Sequence, residues 1–329
     1  MKTVQSSKFE KSDLRDSRLK ILIVSLDNLG DTVMATSLAK PLKEAFPHST
    51  VSVWTKSYGC FIPSQCPWVD HTFHADPFWV RSPGKTKGSW SLYAKTLWRI
   101  RQEKFDEAII LHTDWRKALS CRLAGIPKRI GFQQKKSGPW LTHKITPPQP
   151  EEHLMEAAQR LLSKTLDHPP VLSCYLSPPS NTTKKPWIAL HPFSGDLSRC
   201  WSLDRWHSLA RQLLDQSSSQ ILLIASEKEK KAHAQPLNLF QKDLGNRLTF
   251  STQLISDLAS CELFLGHDSG PLHIACALGI PSIGLFLTEK KNYWPRGRGP
   301  SVIFSKNSID QIQLSEVLVA IESLKAVPS

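Results

Sequence analysis

Four short segments of this 329-residue chain space acidic, hydroxyl, glycine and guanidinium groups as a phosphorylated ligand would require. In the first, the apolar residues Leu263, Phe264 and Leu265 run to Gly266, and Asp268, Ser269 and Gly270 follow where a helix N-cap belongs. Free backbone N–H groups at such a turn attract anions. Pro271 fits a first helical turn, Ile274, Ala275, Ala277 and Leu278 supply a buried face, and Gly279 ends the helix. The second segment, residues 191–199, is a small-residue loop holding Ser194 and Arg199, whose guanidinium can pair with a diphosphate in a fork or idle in solvent. In the third, residues 27–31, Gly30 lets a backbone approach a ligand, and Asp31 either caps its helix or serves as a catalytic base. The fourth is Glu227, just past a strand ending at Ala225, where a carboxylate can accept hydrogen bonds from a ribose; Lys228 to Lys231 read as a solvated helix face.

Alternating strands and helices must carry these segments. The apolar run 19–26 reads as a strand buried on both faces. A helix is expected from Thr32, with Pro41 kinking or ending it. Strands follow at 51–53, 69–73 and 105–111, helices at 92–101 and 116–123, and a strand at 130–132. Residues 153–166 predict a helix, and 167–186, rich in Pro, Ser and Thr, read as a linker. A second series places strands at 187–191, 220–225, 263–265 and 282–286, and helices at 204–214, 255–260 and 314–324. The expected architecture is α/β: two Rossmann-like doubly wound domains facing a central cleft. The boundaries are a flexible tail at 1–18, a first domain at 19–166, the linker at 167–186 and a second domain at 187–329.

Composition narrows the function. The net charge is +13, and residues 1–160 hold 25 Lys and Arg against 15 Asp and Glu, a bias that favours an anionic partner at the front half or serves solubility alone. Within 77–99, Phe78, Trp79, Trp90 and Trp98 alternate with Arg81, Lys85, Lys87, Lys95 and Arg99. That mixture suits a membrane interface, an anionic glycan-bearing acceptor or single-stranded nucleic acid, unless Trp90, Leu97 and Trp98 turn inward. Only one glycine stands in the 27–31 loop, which disfavours a dinucleotide-dependent dehydrogenase. Seven cysteines without a Cys-x-x-Cys read as reduced packing residues of a cytosolic protein. Residues 1–18 lack the apolar core of a secretion signal, no stretch reaches the length of a membrane span, and no carboxylate cluster has metal-ligand spacing.

In order and spacing the chain resembles the lipopolysaccharide heptosyltransferases, glycosyltransferase family 9. The residues that carry the resemblance are Leu-Gly-Asp-Thr at 29–32, Leu-Lys-Glu-Ala-Phe-Pro at 42–47, Pro-Trp-Val-Asp at 67–70 and Phe-Asp-Glu-Ala-Ile-Ile-Leu-His at 105–112. They continue with Arg-Ile-Gly-Phe at 129–132, His191 to Ser194, Arg199-Cys200-Trp201 and Asp-Ser-Gly-Pro-Leu-His at 268–273. The chain departs from the family pattern at Pro41, at Phe193-Ser194 and at Leu287-Thr288-Glu289, where Gly-Pro-Thr or Gly-Pro-Ser is usual.

The resemblance implies the GT-B fold and an inverting, metal-independent transfer of heptose from ADP-heptose to an anionic lipid-linked saccharide in lipopolysaccharide core biosynthesis. It makes Asp31 the general base. Arg199, Ser194, Ser269 and Gly270 would hold the donor diphosphate, and Asp268, His273 and Glu227 the nucleotide and sugar. Gly30, Asn28, Arg81, Lys85 and Arg116 would lie on the acceptor side. No metal, cofactor or nucleic acid is expected, and the enzyme would be cytoplasmic, peripheral at the inner face of the inner membrane. The alternatives are another nucleotide sugar serving a different envelope glycan, or a non-enzymatic binder of anionic polymer or membrane.

Overall fold

A computed structural model describes residues 18–79, 88–134 and 136–325. Residues 1–17 of the expected tail, together with Arg81, Lys85 and Lys87, lie outside the described residues. The chain forms two compact units: one takes residues up to Asp27, Ala35–Pro148 and Glu156–Val171, the other Asn28–Met34, Gln149–Met155 and Leu172 onward.

From the first strand to residue 145 the chain runs β1 (Lys20–Ser25), α1 (Leu29–Thr36), α2 (Ala39–Ala45), β2 (Thr50–Thr55), β3 (His71–His74), α3 (Trp90–Glu103), β4 (Glu107–Ile110), α4 (Trp115–Leu123), β5 (Lys128–Phe132) and β6 (His143–Ile145). The sheet is wholly parallel, in the order β3-β2-β1-β4-β5-β6. Strand β1 lies at its centre and buries every residue after Lys20, which is why its sequence is an unbroken apolar run. Aromatic rings fill the core: Trp54 and Tyr93 stand 5.3 Å apart, Phe73 and Phe105 5.9 Å, and Trp79 packs edge-on to Tyr93.

Helix α5 (Leu154–Leu162) leads to residues 167–186, which form no helix or strand, yet Leu172, Cys174 and Leu176 are buried. The second sheet follows through β7 (Trp187–His191), α6 (Leu203–Asp215), β8 (Gln220–Leu223), α7 (Glu227–Ala232), α8 (Ala234–Leu244), β9 (Leu248–Phe250), α9 (Leu254–Ser260), β10 (Leu263–His267), α10 (Gly270–Leu278), β11 (Ser282–Leu287), β12 (Ser301–Lys306) and α11 (Leu314–Lys325). Its order, β12-β11-β10-β7-β8-β9, repeats the connectivity of the first, again all parallel. Both are doubly wound, with β1 and β4, or β7 and β10, flanking the point where successive crossovers change direction.

Several expectations need correction. The helix expected from Thr32 begins at Leu29 and breaks at Ser37 and Leu38, so Pro41 sits in the first turn of α2, where a missing N–H costs nothing. Strand β10 does not stop at Gly266 but pairs through it to His267. Helix α10 buries all residues from Pro271 to Leu278, not a single face. Trp90 and Trp98 point outward, 67% and 61% exposed, and only Leu97 of the three is half-buried. Apolar patterning missed β6, β9, β12 and α8, elements at sheet edges or over them.

Candidate active site

The second unit gathers charged and hydroxyl groups where β7 and β10 end side by side. The loop after β7 is tied to the end of β10 by two bonds: Trp201 N–H donates to His267 Nε2 at 2.9 Å, and Ser194 Oγ donates to the Asp268 carbonyl at 3.2 Å. Arg199 thereby lies against Asp268, its Nη1 3.2 Å from Oδ2, while its Nε is 3.6 Å from Asp196 Oδ2. Asp196 is itself held by Ser198, whose backbone N–H and hydroxyl both donate to Oδ1 and keep the carboxyl below its usual range. Burial pushes the Asp268 carboxyl up and the negative charge of Asp31 adds to it, against Arg199 and Lys290, which pull it down.

Helix α10 starts at this point. Ser269 is its N-cap in extended conformation, its side chain does not cap the helix, and its buried hydroxyl has no hydrogen-bond partner among the described residues. Helix α10 thus begins directly after the Asp268 that Arg199 contacts and beside an unused hydroxyl, a combination suited to phosphate oxygens. The opposite end of the helix is gripped. Gly279, in the left-handed region at φ 85°, gives its N–H to the Ala275 and Cys276 carbonyls. Arg298 and Gly299 donate to Cys276 O at 3.0 and 3.3 Å, and Leu176 donates to Ala277 O at 3.0 Å. A Cβ on Gly297 would stand 2.1 Å from Cys276 O, so this approach requires glycine.

The first turn of α1 lies against the first turn of α10. A Cβ on Gly30 would meet His273 Cδ2 at 2.8 Å, and one on Gly270 would meet Leu29 Cβ at 2.5 Å, so two glycines are needed for the contact. Asp31, third residue of α1 and buried, accepts from the Asn28 N–H at 2.9 Å, while Asn28 O receives the Thr32 N–H and hydroxyl. Asp31 thus caps its helix, as one sequence reading expects, and also lies close enough to act on Asp268. His273 is driven down to about 4 by burial and by the neighbouring His153, leaving a neutral imidazole at physiological pH. His153 is oriented by a 2.8 Å bond to Trp294 O and by the Met155 N–H, which donates to Nδ1.

Glu227 opens α7 with its side chain 79% exposed and pairs with Lys230 at 2.8 Å, which lowers its carboxyl. Arg116, at the start of α4 in the first unit, pairs with Asp114 and lies over the rings of Trp79 and Trp115. Two residues of the site escape sequence reasoning. Lys290 follows β11, the neighbour of β10, just after the departing 287–289 segment, and its charge reaches Asp268 and Asp196. His267, forced down to about 3 by burial and by His191, is the neutral acceptor that fixes the Arg199 loop. Among the described residues no three His, Cys, Asp or Glu side chains are grouped to hold a metal ion.

The first unit has its own cluster at the equivalent position. Asp27, past β1, forms an ion pair with the Lys117 ammonium, whose side chain is only 3% exposed. His112, at φ 63°, brings Nε2 to 3.6 Å from the same carboxylate, and Tyr58 donates to the Asp27 carbonyl. Burial acts to raise the Asp27 carboxyl, but His112, Lys117 and Lys56 outweigh it and hold it low.

Residues 94–316 match the profile of glycosyltransferase family 9 (heptosyltransferase). Lipopolysaccharide heptosyltransferase 2 of Escherichia coli K12 is 25% identical over 306 residues, covering 84% of this chain and 85% of that protein. The solved E. coli ADP-heptose lipopolysaccharide heptosyltransferase II superposes with a TM-score of 0.77 at 21% identity, over 93% of this chain and 98% of that one. An E. coli heptosyltransferase solved with ADP-2-deoxy-2-fluoro heptose gives a TM-score of 0.73 at 15% identity, over 93% and 99%. These superpositions identify the architecture as GT-B.

Proposed function

Because this chain belongs to glycosyltransferase family 9, and is therefore a glycosyltransferase, we propose that it moves heptose from ADP-heptose to an anionic, lipid-linked saccharide of the lipopolysaccharide core, with inversion and without a metal ion. Residues 19–166 would form the acceptor domain, 167–186 a linker and 187–329 the nucleotide-sugar domain. Asp31 takes the proton of the acceptor hydroxyl as that oxygen bonds to the anomeric carbon, and the bond from that carbon to the diphosphate breaks on the opposite face. General-base help of this kind contributes about 10²- to 10⁴-fold. The departing charge is met by Arg199, Lys290, the Ser269 hydroxyl and the amides at Ser269 and Gly270, fixed dipoles and cations that need no reorganisation during the reaction, while Ser194, whose proton goes to the Asp268 carbonyl, holds that turn in place beside the diphosphate. Asp268, His273 and Glu227 serve the nucleoside and sugar. Gly30, Asn28, Arg81, Lys85 and Arg116 serve the acceptor.

The observation that supports this reading most is the approach of the first turn of α1 to the first turn of α10, with Asp31 near enough for its charge to act on Asp268, two residues before Gly270. Among the described residues no helix is long and apolar enough to cross a membrane, and we place the enzyme peripherally at the cytoplasmic face of the inner membrane. The departure at 287–289 favours one second reading, a different nucleotide sugar. The deciding experiment incubates the protein and a lipopolysaccharide-core acceptor with ADP-heptose or with UDP-sugars, each with and without a chelator. ADP release from ADP-heptose, unchanged by chelator and giving an inverted linkage, is expected. Strict divalent-ion dependence would overturn the leaving-group chemistry, and release from a UDP-sugar alone would replace the donor.

A further inference from the structure

Helix α3 carries on its outer side groups that a water-facing helix ordinarily hides. Tyr93, Thr96 and Ile100 face the core, while Trp90, Leu92 and Trp98 are 67%, 62% and 61% exposed. At 100° per residue Trp98 lies opposite the buried edge, with Lys95 beside it and Trp90 and Arg99 flanking, all exposed. Leu123 of α4, 55% exposed, extends the apolar surface: Arg101 of α3 donates to its carbonyl at 2.8 Å. The only carboxylate of α3, Glu103, is at its last residue and is bound to Lys20.

We infer that this face seats the enzyme on an anionic lipid bilayer, with Trp98 and Trp90 entering the headgroup region and Lys95 and Arg99 pairing with lipid phosphates from the flank of the helix. Indole rings prefer the boundary between water and hydrocarbon, where the apolar ring and the N–H donor are both accommodated. Cations beside them add attraction that falls away within a Debye length of the surface. A second copy of the chain fits less well, because a twofold contact would bring the Lys95 and Arg99 charges of both copies together. At 14 residues, α3 is too short to span and would lie along the surface.

The inference rests on the proposed lipid-linked acceptor for the choice of an anionic bilayer, and its test is separable from that reading. The full-length protein is sedimented with phosphatidylglycerol-containing vesicles and with pure phosphatidylcholine vesicles, neither containing acceptor. Wild type should follow only the anionic vesicles, and less so in high salt. Lys95→Gln with Arg99→Gln should weaken partitioning roughly 20-fold. Trp90→Ala with Trp98→Ala should weaken it by about tenfold or more. Both double variants should keep wild-type turnover on a delipidated acceptor, and Trp90→Ala with Trp98→Ala should keep the wild-type melting temperature, since those rings are exposed; Lys95→Gln with Arg99→Gln gives up the Arg99 guanidinium that lies 5.8 Å over the Phe73 ring and should melt slightly lower. Wild-type partitioning by either variant, equal binding to both vesicle types, or a dimer in vesicle-free buffer that Trp90→Ala with Trp98→Ala dissolves would overturn the inference. Salt-sensitive binding of wild type to the anionic vesicles alone, with no turnover of ADP-heptose by wild type, would instead count against the functional reading and leave the inference standing.

Discussion

The two units share one strand order but fill the crossing point of their sheets differently. Between β1 and β4, Asp27 is held ionised by Lys117, His112 and Lys56, so the protein's own charges answer one another. Between β7 and β10, Arg199 and Lys290 stand with an Asp268 carboxyl that burial and Asp31 make reluctant to ionise, beside a Ser269 hydroxyl without a partner among the described residues. Equivalent topology offers equivalent places for ligands. Which place is used depends on where polar groups are left for something else to satisfy, so function follows the side chains more than the fold.

The largest effect expected is that of Asp31→Asn, which should lower kcat by about 10²- to 10⁴-fold while ADP affinity, measured calorimetrically, stays unchanged. An indifferent turnover would leave Asp31 as a helix cap alone. On the first unit's side, Lys117→Met removes one partner of a part-buried pair and should cost about 1–3 kcal/mol of stability, read from denaturant unfolding, without altering ADP affinity. Adding Asp27→Leu should restore most of that loss. Weaker ADP binding with full stability would break the comparison, because the first cluster would then be a ligand site too.

Acid should act chiefly through the second unit. His273 and His267 are held neutral, at about 4 and about 3, against about 6.5 unfolded, so both favour the folded state above that value and lose their contribution as pH falls through and below it. For His273 the loss is of order 3 kcal/mol by pH 4. Asp268, raised by burial, works in the opposite sense and is least costly in acid. Melting temperature should therefore drop between neutral pH and pH 4, and His273→Gln should flatten that slope. Arg199→Ala should weaken ADP binding about 10- to 100-fold and AMP much less, consistent with charge-assisted bonds to the second phosphate. Smallest is Glu227→Gln, an exposed hydrogen-bonding group, expected to weaken ADP binding about threefold or less while leaving pyrophosphate binding alone.

What could be read from the sequence follows from burial. β1 and β10 lie at sheet centres, where burial on both faces demands unbroken apolar runs, and the Asp268-Ser269-Gly270 turn stands out at the end of one of them. β6, β9 and β12 pair on one side only and carry half-buried or exposed residues, so no such run marks them. The orientation of Trp98 is ambiguous in the sequence because α3 also carries Tyr93, Leu97 and Ile100, any of which could define the inner face. Lys290 and Lys117 could not be found from local sequence. Lys290 matters only because β11 lies next to β10. Lys117 has the pattern of an ordinary helix-surface lysine, and only the fold brings its ammonium to Asp27, 90 residues away in the chain.

The grip on the carbonyl end of α10 has a consequence for timing. With Cys276 O taken by three N–H groups and glycine backbone pressed against it, the helix can neither unravel nor slide along its axis, so its leading amides stay aimed before any donor arrives. The peptide hydrogens of residues 274–279 should be among the slowest in the chain to exchange with deuterium, and that slowness should be almost the same with or without ADP. Binding at this end of the site should then proceed as simple capture by a stiff receptor, in a single exponential phase.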